Sequence, residues 1–255
     1  MEQKLKKLRI FNLVMAILHF GQGIAMLLLS TDFKLPVTTS FLEFNAQTKA
    51  LIPSITTIFN LQIGPMVAAF LFLSAAAHLI VSLPGVNNWY NSNLQKGINY
   101  ARWMEYSFSA SLMIVIIAML VGIYDIASLI ILFGVNACMI LFGWMMELHN
   151  QTTQKTNWTS FYFGSFAGII PWIAIAIYLF GAGSATGTHA PNFVYWIYFS
   201  IFLFFNCFAI NQVLQYKKVG KWSDYLYGEK VYIILSLVAK SLLAWQVWAA
   251  TLRPV

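Results

Sequence analysis

Two ionisable residues stand inside apolar stretches of the sequence, where charged side chains are unexpected. Lys240 lies near the middle of the last apolar segment, and Glu105 lies in the third. A charge at the centre of a membrane-spanning helix costs on the order of 2.5–3.5 kcal/mol on insertion scales. A cation and an anion in one bundle can offset this cost by pairing. We therefore predict that Lys240 and Glu105 lie together in a functional site.

Each of the two residues also has a simpler explanation. Lys240 could extend its side chain to the membrane surface, although a rise of about 1.5 Å per residue places it too deep for this to be favourable. Glu105 could pair with Arg102, which precedes it by three residues on the same helical face. We favour the pair of Lys240 with Glu105, because it neutralises both unexpected charges at once.

An amine beside a carboxylate in apolar surroundings suits one chemistry well. A lysine that forms a protonated Schiff base with an aldehyde can keep its charge in lipid when a carboxylate lies next to it. Retinal requires this arrangement, with the amine in the last helix, the counterion in the third and an apolar slot between them. The sequence therefore makes retinal a candidate ligand of Lys240.

Short polar and imidazole side chains fall near the two charges in the predicted helices. An isolated buried histidine is more often an ordinary core residue than a functional one. Two histidines beside a buried lysine and glutamate are less easily explained in that way, and we expect them to join a proton-accepting network. The predicted members of this polar cluster are Ser236, Ser109, Ser74, His78 and His19.

Aromatic and long side chains inside the segments could hold a flat conjugated ligand. Packing and lipid contact explain most of these residues, and spacing defines a helical face without showing which face meets a ligand. Trp172 follows Pro171 within its segment and is a candidate for the far end of such a pocket. The other candidates are Met139, Trp144, Phe205, Asn206 and Gln212.

The composition indicates a membrane protein, because 60% of the 255 residues are hydrophobic and only 9% are charged. Soluble domains carry about 25% charged residues. Seven segments have the roughly 20 apolar residues that a spanning helix needs. We predict an all-α membrane protein, a seven-transmembrane-helix bundle forming a single domain over 1–255. The spans are about 8–30, 62–83, 100–122, 126–146, 160–181, 191–216 and 230–252.

The connections between the spans carry further information. The loop 31–61 is the only sizeable element outside the membrane, and we expect it to form a small β-hairpin. Glu147 lies at the end of the fourth span and is expected to contact water. Basic residues concentrate on the side of the N-terminus, so the positive-inside rule places the N-terminus in the cytoplasm and the C-terminus outside the cell membrane. The N-terminal side holds Lys4, Lys6, Lys7, Arg9, Lys96, Arg102, Lys155, Lys217, Lys218, Lys221 and Lys230, against Lys34, Lys49 and Arg253 on the other side.

The formal net charge is +7. In a membrane protein, such an excess of basic residues marks the cytoplasmic face, so we expect no nucleic-acid partner. The basic loop 217–224 is a candidate contact for a cytoplasmic signalling partner. Its alternative role, anchoring the bundle to the bilayer, explains the same charges more simply. We found no zinc-ligand helix, nucleophile–base pair or phosphate loop, so an enzyme is the function that we expect least.

The sequence resembles the heliorhodopsin family over essentially its whole length. The stretch 236–245, Ser-Leu-Val-Ala-Lys-Ser-Leu-Leu-Ala-Trp, is like that family's lysine helix. The stretch 102–111, Arg-Trp-Met-Glu-Tyr-Ser-Phe-Ser-Ala-Ser, is like its counterion helix. The inward N-terminus, the long first outer loop, His19 and His78 also agree with the family.

The resemblance implies a rhodopsin-like bundle, inverted relative to ordinary microbial rhodopsins. It implies all-trans retinal bound covalently to Lys240, with Glu105 as the counterion. It also implies a homodimer that senses light through retinal isomerisation, Schiff base deprotonation and a slow photocycle.

Comparison with proton pumps favours sensing over transport. Pumps such as bacteriorhodopsin carry a proton-donating carboxylate in the third helix, and the matching position here is Ile116. They carry a second carboxylate four residues before the lysine, where this chain has Ser236. We therefore expect no net ion pumping. The alternatives are a light-driven transporter or channel on the same scaffold, and a carrier that uses Lys240 and Glu105 without retinal.

Overall fold

In the computed structural model, which describes residues 1–184, 187 and 189–253, the chain is mainly helical. A two-stranded sheet follows the first helix, and a π-helical turn, Trp248–Leu252, follows the last. The elements are α1 (Glu2–Leu29), β1 (Lys34–Asn45), β2 (Ala50–Gln62), α2 (Ile63–Ile80), α3 (Val86–Gln95), α4 (Tyr100–Leu120), α5 (Ile126–His149), α6 (Thr159–Gly181), α7 (Asn192–Tyr216) and α8 (Tyr225–Val247).

Seven helices in the described part of the chain are long and apolar enough to cross a membrane, namely all except α3. The predicted seven-helix bundle is confirmed. Several helices extend beyond the predicted spans, since α1 begins at Glu2, α5 continues to His149 and α8 begins at Tyr225. The extra turns are polar or charged, and hydropathy detects only the part of a helix that suits the hydrocarbon core.

The bundle has two distinct ends. We call the end that holds the N-terminus and most of the basic residues the basic end, and the end that holds β1 and β2 the hairpin end. At the basic end, α1, α4, α6 and α8 begin, and Lys4 Nζ lies 2.8 Å from an Asp224 carboxylate oxygen. This ion pair lowers the pKa of Asp224 through the hydrogen bond from Lys4. At the opposite, hairpin end, the backbone N–H of Thr38 donates to the carbonyl of Tyr124 at 2.9 Å. The sheet is thereby attached to the turn between α4 and α5.

The predicted hairpin in the loop 31–61 is present as β1 and β2, which pair antiparallel. A bulge between Val37 and Thr38 shifts the register near the bundle. Val37 is buried in the core, whereas the far part of the hairpin is exposed. The exposed apolar side chains of the hairpin are Phe41, Leu42, Phe44, Leu51, Ile52, Ile55, Ile58 and Phe59.

Helix α3 was not predicted, because it is short and mostly polar. It starts after Gly85, whose φ of 82° lies in the left-handed region that glycine adopts without strain. The helix buries Asn87, Tyr90 and Leu94, which fall on one face. It packs across the basic end of the bundle rather than spanning it, and it separates the side chains beneath it from water.

Carboxylate and amide caps define where the functional helices begin. The side chain of Asn99 accepts from the backbone N–H of Arg102 at 3.0 Å and caps α4. Asp224 accepts from the N–H of Leu226 at 3.1 Å and caps α8. Such caps satisfy N–H groups that a helix leaves unpaired at its start. They set the depth at which α4 and α8 present their charged residues.

Candidate functional site

Lys240 on α8 and Glu105 on α4 meet inside the bundle, with Ser74 of α2 between them. Lys240 Nζ lies 2.7 Å from Glu105 Oε1 and 2.5 Å from Ser74 Oγ. Ser74 Oγ in turn donates to Glu105 Oε1 at 2.6 Å. The side chains of the pair are only 4% and 9% exposed. The three groups therefore form a closed triangle in which the carboxylate receives two donors.

Further hydroxyl groups surround the triangle without partners of their own. The Oγ atoms of Ser109 and Ser236 are buried and make no hydrogen bond within the described part of the chain. Ser236 lies one turn before Lys240, and Ser109 one turn after Glu105. Buried polar atoms are normally paired, so unpaired ones mark places where a ligand or ordered water belongs. The sequence had placed both serines in this cluster.

An apolar cavity extends from Lys240 toward α5 and α7. Met139, Phe205 and Phe208 line it together with Tyr106. A second cavity shares these four residues and reaches Gln212. Small-molecule sites are mostly apolar with a few polar groups. The lining of this slot thus suits an apolar molecule whose reactive end meets the amine.

Three of the predicted pocket residues do not line either cavity. Trp172 is buried one layer away, with its ring 5.3 Å from that of Phe205. Trp144 packs edge-on against Tyr100 at 5.5 Å, near the basic end. Asn206 is exposed, and its Nδ2 donates to a carbonyl of its own helix at 2.8 Å. The placement of Trp144 and Asn206 corrects their assignment to the pocket, since the spacing along a helix does not show which face turns inward.

The two histidines lie side by side between α1 and α2. Their rings stack at 5.7 Å with an interplanar angle of 12°, and His19 is fully buried. His78 Nδ1 lies 2.7 Å from the side-chain oxygen of Asn12, a partner that the sequence analysis missed. His78 and Glu105 line one cavity. The structure thus puts His19 and His78 side by side and brings His78 to the cavity that Glu105 lines.

A second buried charge cluster lies closer to the basic end. Arg102 contacts Glu147 at 2.5 Å between Nη2 and Oε1, and it also bonds Glu229 through Nη1. These three side chains are at most 4% exposed. The expectation that Glu147 contacts water is wrong, and Arg102 does not pair with Glu105. The helices continue past the apolar spans, and these charges are buried among protein groups rather than in contact with water.

Neutral donors complete this cluster. Glu147 accepts hydrogen bonds from the indole of Trp103 at 2.6 Å and from the hydroxyl of Tyr225 at 2.9 Å. The amide of Asn99 donates to Glu229 at 2.6 Å. The guanidinium carbon of Arg102 lies 4.3 Å from the ring centroid of Trp103. Buried charges persist when they are paired and fully hydrogen-bonded, which is the case for both carboxylates.

The two clusters face each other across one cavity. His78 and Glu105 line it on one side, and Arg102 and Glu229 line it on the other. The polar groups around Lys240 and Glu105 can hold and exchange a proton. The cavity extends this polar region toward the basic end. The sequence signal for the second cluster was the set of acidic residues at the ends of α5 and α8.

The heliorhodopsin family model matches residues 8–252 of the chain. The chain belongs to the heliorhodopsin family. No curated protein sequence matches it. As a heliorhodopsin with seven spanning helices it is a multi-pass membrane protein, and its membership supports a light-sensing or retinal protein of the microbial rhodopsin type. Family membership also implies retinal bound to a lysine.

The residues of this heliorhodopsin fit such a group. Among the lysines in the described part of the chain, Lys240 alone is buried. The apolar cavity begins at its amine, and the unpaired hydroxyls of Ser109 and Ser236 lie beside that cavity. An apolar slot, a buried amine and a carboxylate at 2.7 Å are what a charged linkage to an apolar aldehyde needs.

Proposed function

We propose that this heliorhodopsin is a light-sensing receptor that carries all-trans retinal covalently on Lys240, with Glu105 as the counterion. The observation that carries the proposal is the buried contact of 2.7 Å between Lys240 Nζ and Glu105 Oε1 at the mouth of an apolar cavity. Bound retinal would supply absorption of visible light and a change of shape on isomerisation. The protein residues would hold the charge, exclude water and accept the proton.

Each of these residues has a distinct part in the proposal. Glu105 stabilises a positive charge on Lys240 Nζ, and Ser74 orients the carboxylate by donating to the oxygen that faces the amine. Met139 and Phe205 form apolar walls that keep water from the slot. A charge pair is stronger in such surroundings than in water, because the local dielectric constant is low.

The proton that leaves Lys240 Nζ would be held on the basic side of the bundle. His78 and Glu105 line one cavity, and His19 stacks on His78. Imidazole side chains can accept and return protons. Storage in this enclosed cluster would delay reprotonation, which fits a slow, sensor-like photocycle.

The absence of net pumping is part of the proposal. Ile116, at the position of a pump's proton donor, is fully buried in the apolar core. Ser236 replaces the second carboxylate beside Lys240. Toward the hairpin end, the buried polar pair of Asn136 and Ser111 is uncharged and joined at 3.1 Å. These features favour return of the proton to the side from which it came.

Reconstitution tests the chromophore proposal. Addition of all-trans retinal to the purified protein should produce a visible absorption band, and Lys240→Ala should abolish it because the attachment atom is lost. Lys230→Ala is the matched control, since Lys230 lies on the same helix but is only half-buried at the basic end. A colourless wild-type preparation would contradict the proposal.

Light-driven ion transport is the second candidate, and one observation favours it. Glu105 and Glu229 line the same cavity, so a proton could move from the Lys240 site toward the basic end. Photocurrents recorded under voltage clamp distinguish the two functions. A sustained current in the wild type that disappears in Glu229→Gln would support transport and contradict the sensor.

Orientation and assembly also belong to the proposal. The basic end would face the cytoplasm, which puts the N-terminus inside and the C-terminus outside, and the loop 217–224 would be available to a signalling partner. A homodimer is supported by the exposed apolar side chains of the hairpin, such as Phe41, Phe44 and Ile55, because apolar patches of this kind mark interaction sites. Cross-linking through cysteines placed on the hairpin tests the dimer.

A further inference from the structure

A polar cavity opens on the basic end of the bundle, separate from the Lys240 site. It lies among the connections α3–α4, α5–α6 and α7–α8 and has a volume of about 470 Å³. We call this cavity the vestibule. The side chains on which its chemistry depends are Gln95, Lys96, Gln151, Gln154, Lys218 and Tyr225.

The charges and donors of the vestibule suit an anion. Lys96 and Lys218 contribute two ammonium groups, and no acidic side chain lines the cavity in the part of the chain that the structure describes. The amides of Gln95, Gln151 and Gln154 make no hydrogen bond to other described residues, so their N–H donors are available. Two cations with several free neutral donors match a ligand that carries about two negative charges and several acceptor oxygens.

The backbone at Lys218 provides an independent observation. Lys218 has a φ of 52°, in the left-handed region, directly after the end of α7. Its N–H donates to the carbonyl of Gln215 at 3.1 Å, in a helix-ending motif whose left-handed position normally holds glycine or asparagine. A lysine that served only to anchor the bundle could occupy a neighbouring position without this strain. Strained backbone positions cluster at functional sites, so the conformation of Lys218 supports a function for the cavity that this residue lines.

The floor of the vestibule connects it with the interior of the bundle. Tyr225 lines the cavity, and its hydroxyl donates to Glu147 of the Arg102 cluster at 2.9 Å. Gln215, also in the lining, donates to the carbonyl of Tyr225 at 3.1 Å. An occupant would therefore lie one side chain away from the buried charges, separated from them by a fixed tyrosine.

We propose that the vestibule binds a phosphate group through Lys96 and Lys218. A phosphate monoester carries about −1.5 to −2 charges near neutral pH and three strong acceptor oxygens, which matches the two ammonium groups and the amide donors. Lysine binds phosphate well as a point charge. The source of the group is either a soluble phosphate or a lipid headgroup at the membrane surface. This second ligand is distinct from the proposed chromophore and does not depend on Lys240.

Thermal unfolding of the full-length protein in phosphatidylcholine nanodiscs tests the proposal. Inorganic phosphate is titrated against chloride at constant ionic strength, and unfolding is followed by tryptophan fluorescence, which needs no bound retinal. We expect a saturable rise in melting temperature, since a ligand that binds only the folded state stabilises it. In Lys96→Gln/Lys218→Asn, the phosphate concentration for half the effect should rise at least tenfold.

Two controls distinguish phosphate binding in the vestibule from a general effect of surface charge and from misfolding of the variants. Lys6→Gln/Lys7→Gln removes the same charge from exposed positions of α1 and should keep the wild-type response. Lys218→Asn should melt, without phosphate, at the wild-type temperature or above, because asparagine tolerates the left-handed region better than lysine. A wild type without a saturable response, or an equal loss of response in the α1 variant, overturns the proposal.

The source of the phosphate is decided in discs that contain phosphatidic acid. A weaker response of the wild type to added phosphate in these discs assigns the vestibule to a lipid headgroup, because the headgroup already occupies it. An unchanged response assigns the vestibule to a soluble phosphate. Both results support a phosphate site at Lys96 and Lys218.

Discussion

The ammonium group of Lys240 and the carboxylate of Glu105 meet at 2.7 Å, although 135 residues separate them along the chain. Both side chains lie at the centre of a bundle whose outer surface suits lipid, so neither charge has access to bulk water. Removal of either partner would leave the other charge buried and unpaired, which is strongly unfavourable. Substitution of either residue should therefore change both the stability and the absorption spectrum of the protein.

Replacement of the counterion should change the colour and the titration of the protein. In Glu105→Gln, the protonated linkage on Lys240 loses its stabilising anion. The absorption band should shift to longer wavelength, because excitation moves positive charge away from the nitrogen that Glu105 holds in the ground state. The visible band should also be lost at a lower pH than in the wild type, as measured by spectrophotometric titration.

Glu43→Gln serves as the control for this experiment. Glu43 is exposed on β1 of the hairpin, far from the bundle interior, so its replacement should leave spectrum and titration unchanged. An unaltered band in Glu105→Gln would mean that another group is the counterion.

Neutralisation of Arg102 should destabilise the basic end. Arg102→Met leaves the carboxylates of Glu147 and Glu229 buried without their cation, and breaking a buried pair in this way costs about 3–5 kcal/mol. Unfolding in denaturant, followed by tryptophan fluorescence, measures the loss. Lys7→Met, at an exposed position of α1, should change stability by less than about 0.5 kcal/mol.

A compensating variant tests the origin of that loss. Arg102→Met combined with Glu147→Gln and Glu229→Gln carries no unpaired charge and should recover a large part of the stability. If the triple variant is as unstable as Arg102→Met alone, lost packing against Trp103 and Tyr232 is the cause instead.

Two glycines of α5 should respond to alanine with opposite signs. A Cβ atom at Gly143 would lie 2.5 Å from the ring of Trp103, whereas one at Gly134 would have no neighbour within 4 Å. Gly143→Ala should destabilise the fold by about 1–3 kcal/mol, because the ring must shift in a packed interior. Gly134→Ala should stabilise it by up to about 1 kcal/mol through helix propensity. Thermal unfolding of the two variants against the wild type decides the prediction, and equal effects would contradict it.

The ion pair of Lys4 and Asp224 should give a small, pH-dependent stabilisation. Lys4 lowers the pKa of Asp224 from its ordinary value of 3.8, so the stabilisation is complete above that value and is lost as the pH falls through the lower pKa of the folded state. Asp224 is 38% exposed, and the effect should stay below about 1 kcal/mol. The difference in melting temperature between wild type and Lys4→Gln should shrink on acidification and in high salt. A difference that is constant with pH would argue against the pair.

Much of the architecture was predictable because its signals are local. A run of about 20 apolar residues identifies a span without reference to any other part of the chain. The seven spans were found in this way, and the hairpin was predicted in the long loop 31–61 between the first two of them. The ends of the helices were less accurate, since polar turns such as the start of α8 at Tyr225 continue a helix beyond the hydrocarbon core.

The site was predictable only in part. Lys240 and Glu105 stood out because each is a charge in an apolar stretch, and two opposite charges suggest one pair. Asn206 and Trp144 show the limit of this reasoning, because helical spacing groups residues on a face but does not orient that face in the bundle. Asn12 gave no signal at all, since its contact with His78 depends on how α1 packs on α2.

The sequence by itself determined the class of the protein, its seven spans and the two charges that require each other in lipid. Only the tertiary structure decided which groups are enclosed. Glu147 resembles a solvated residue at a helix end, yet it is buried and bonds to Asn99, Arg102 and Tyr225. Burial of this kind arises from segments far apart in the chain, and no local pattern around Glu147 encodes it.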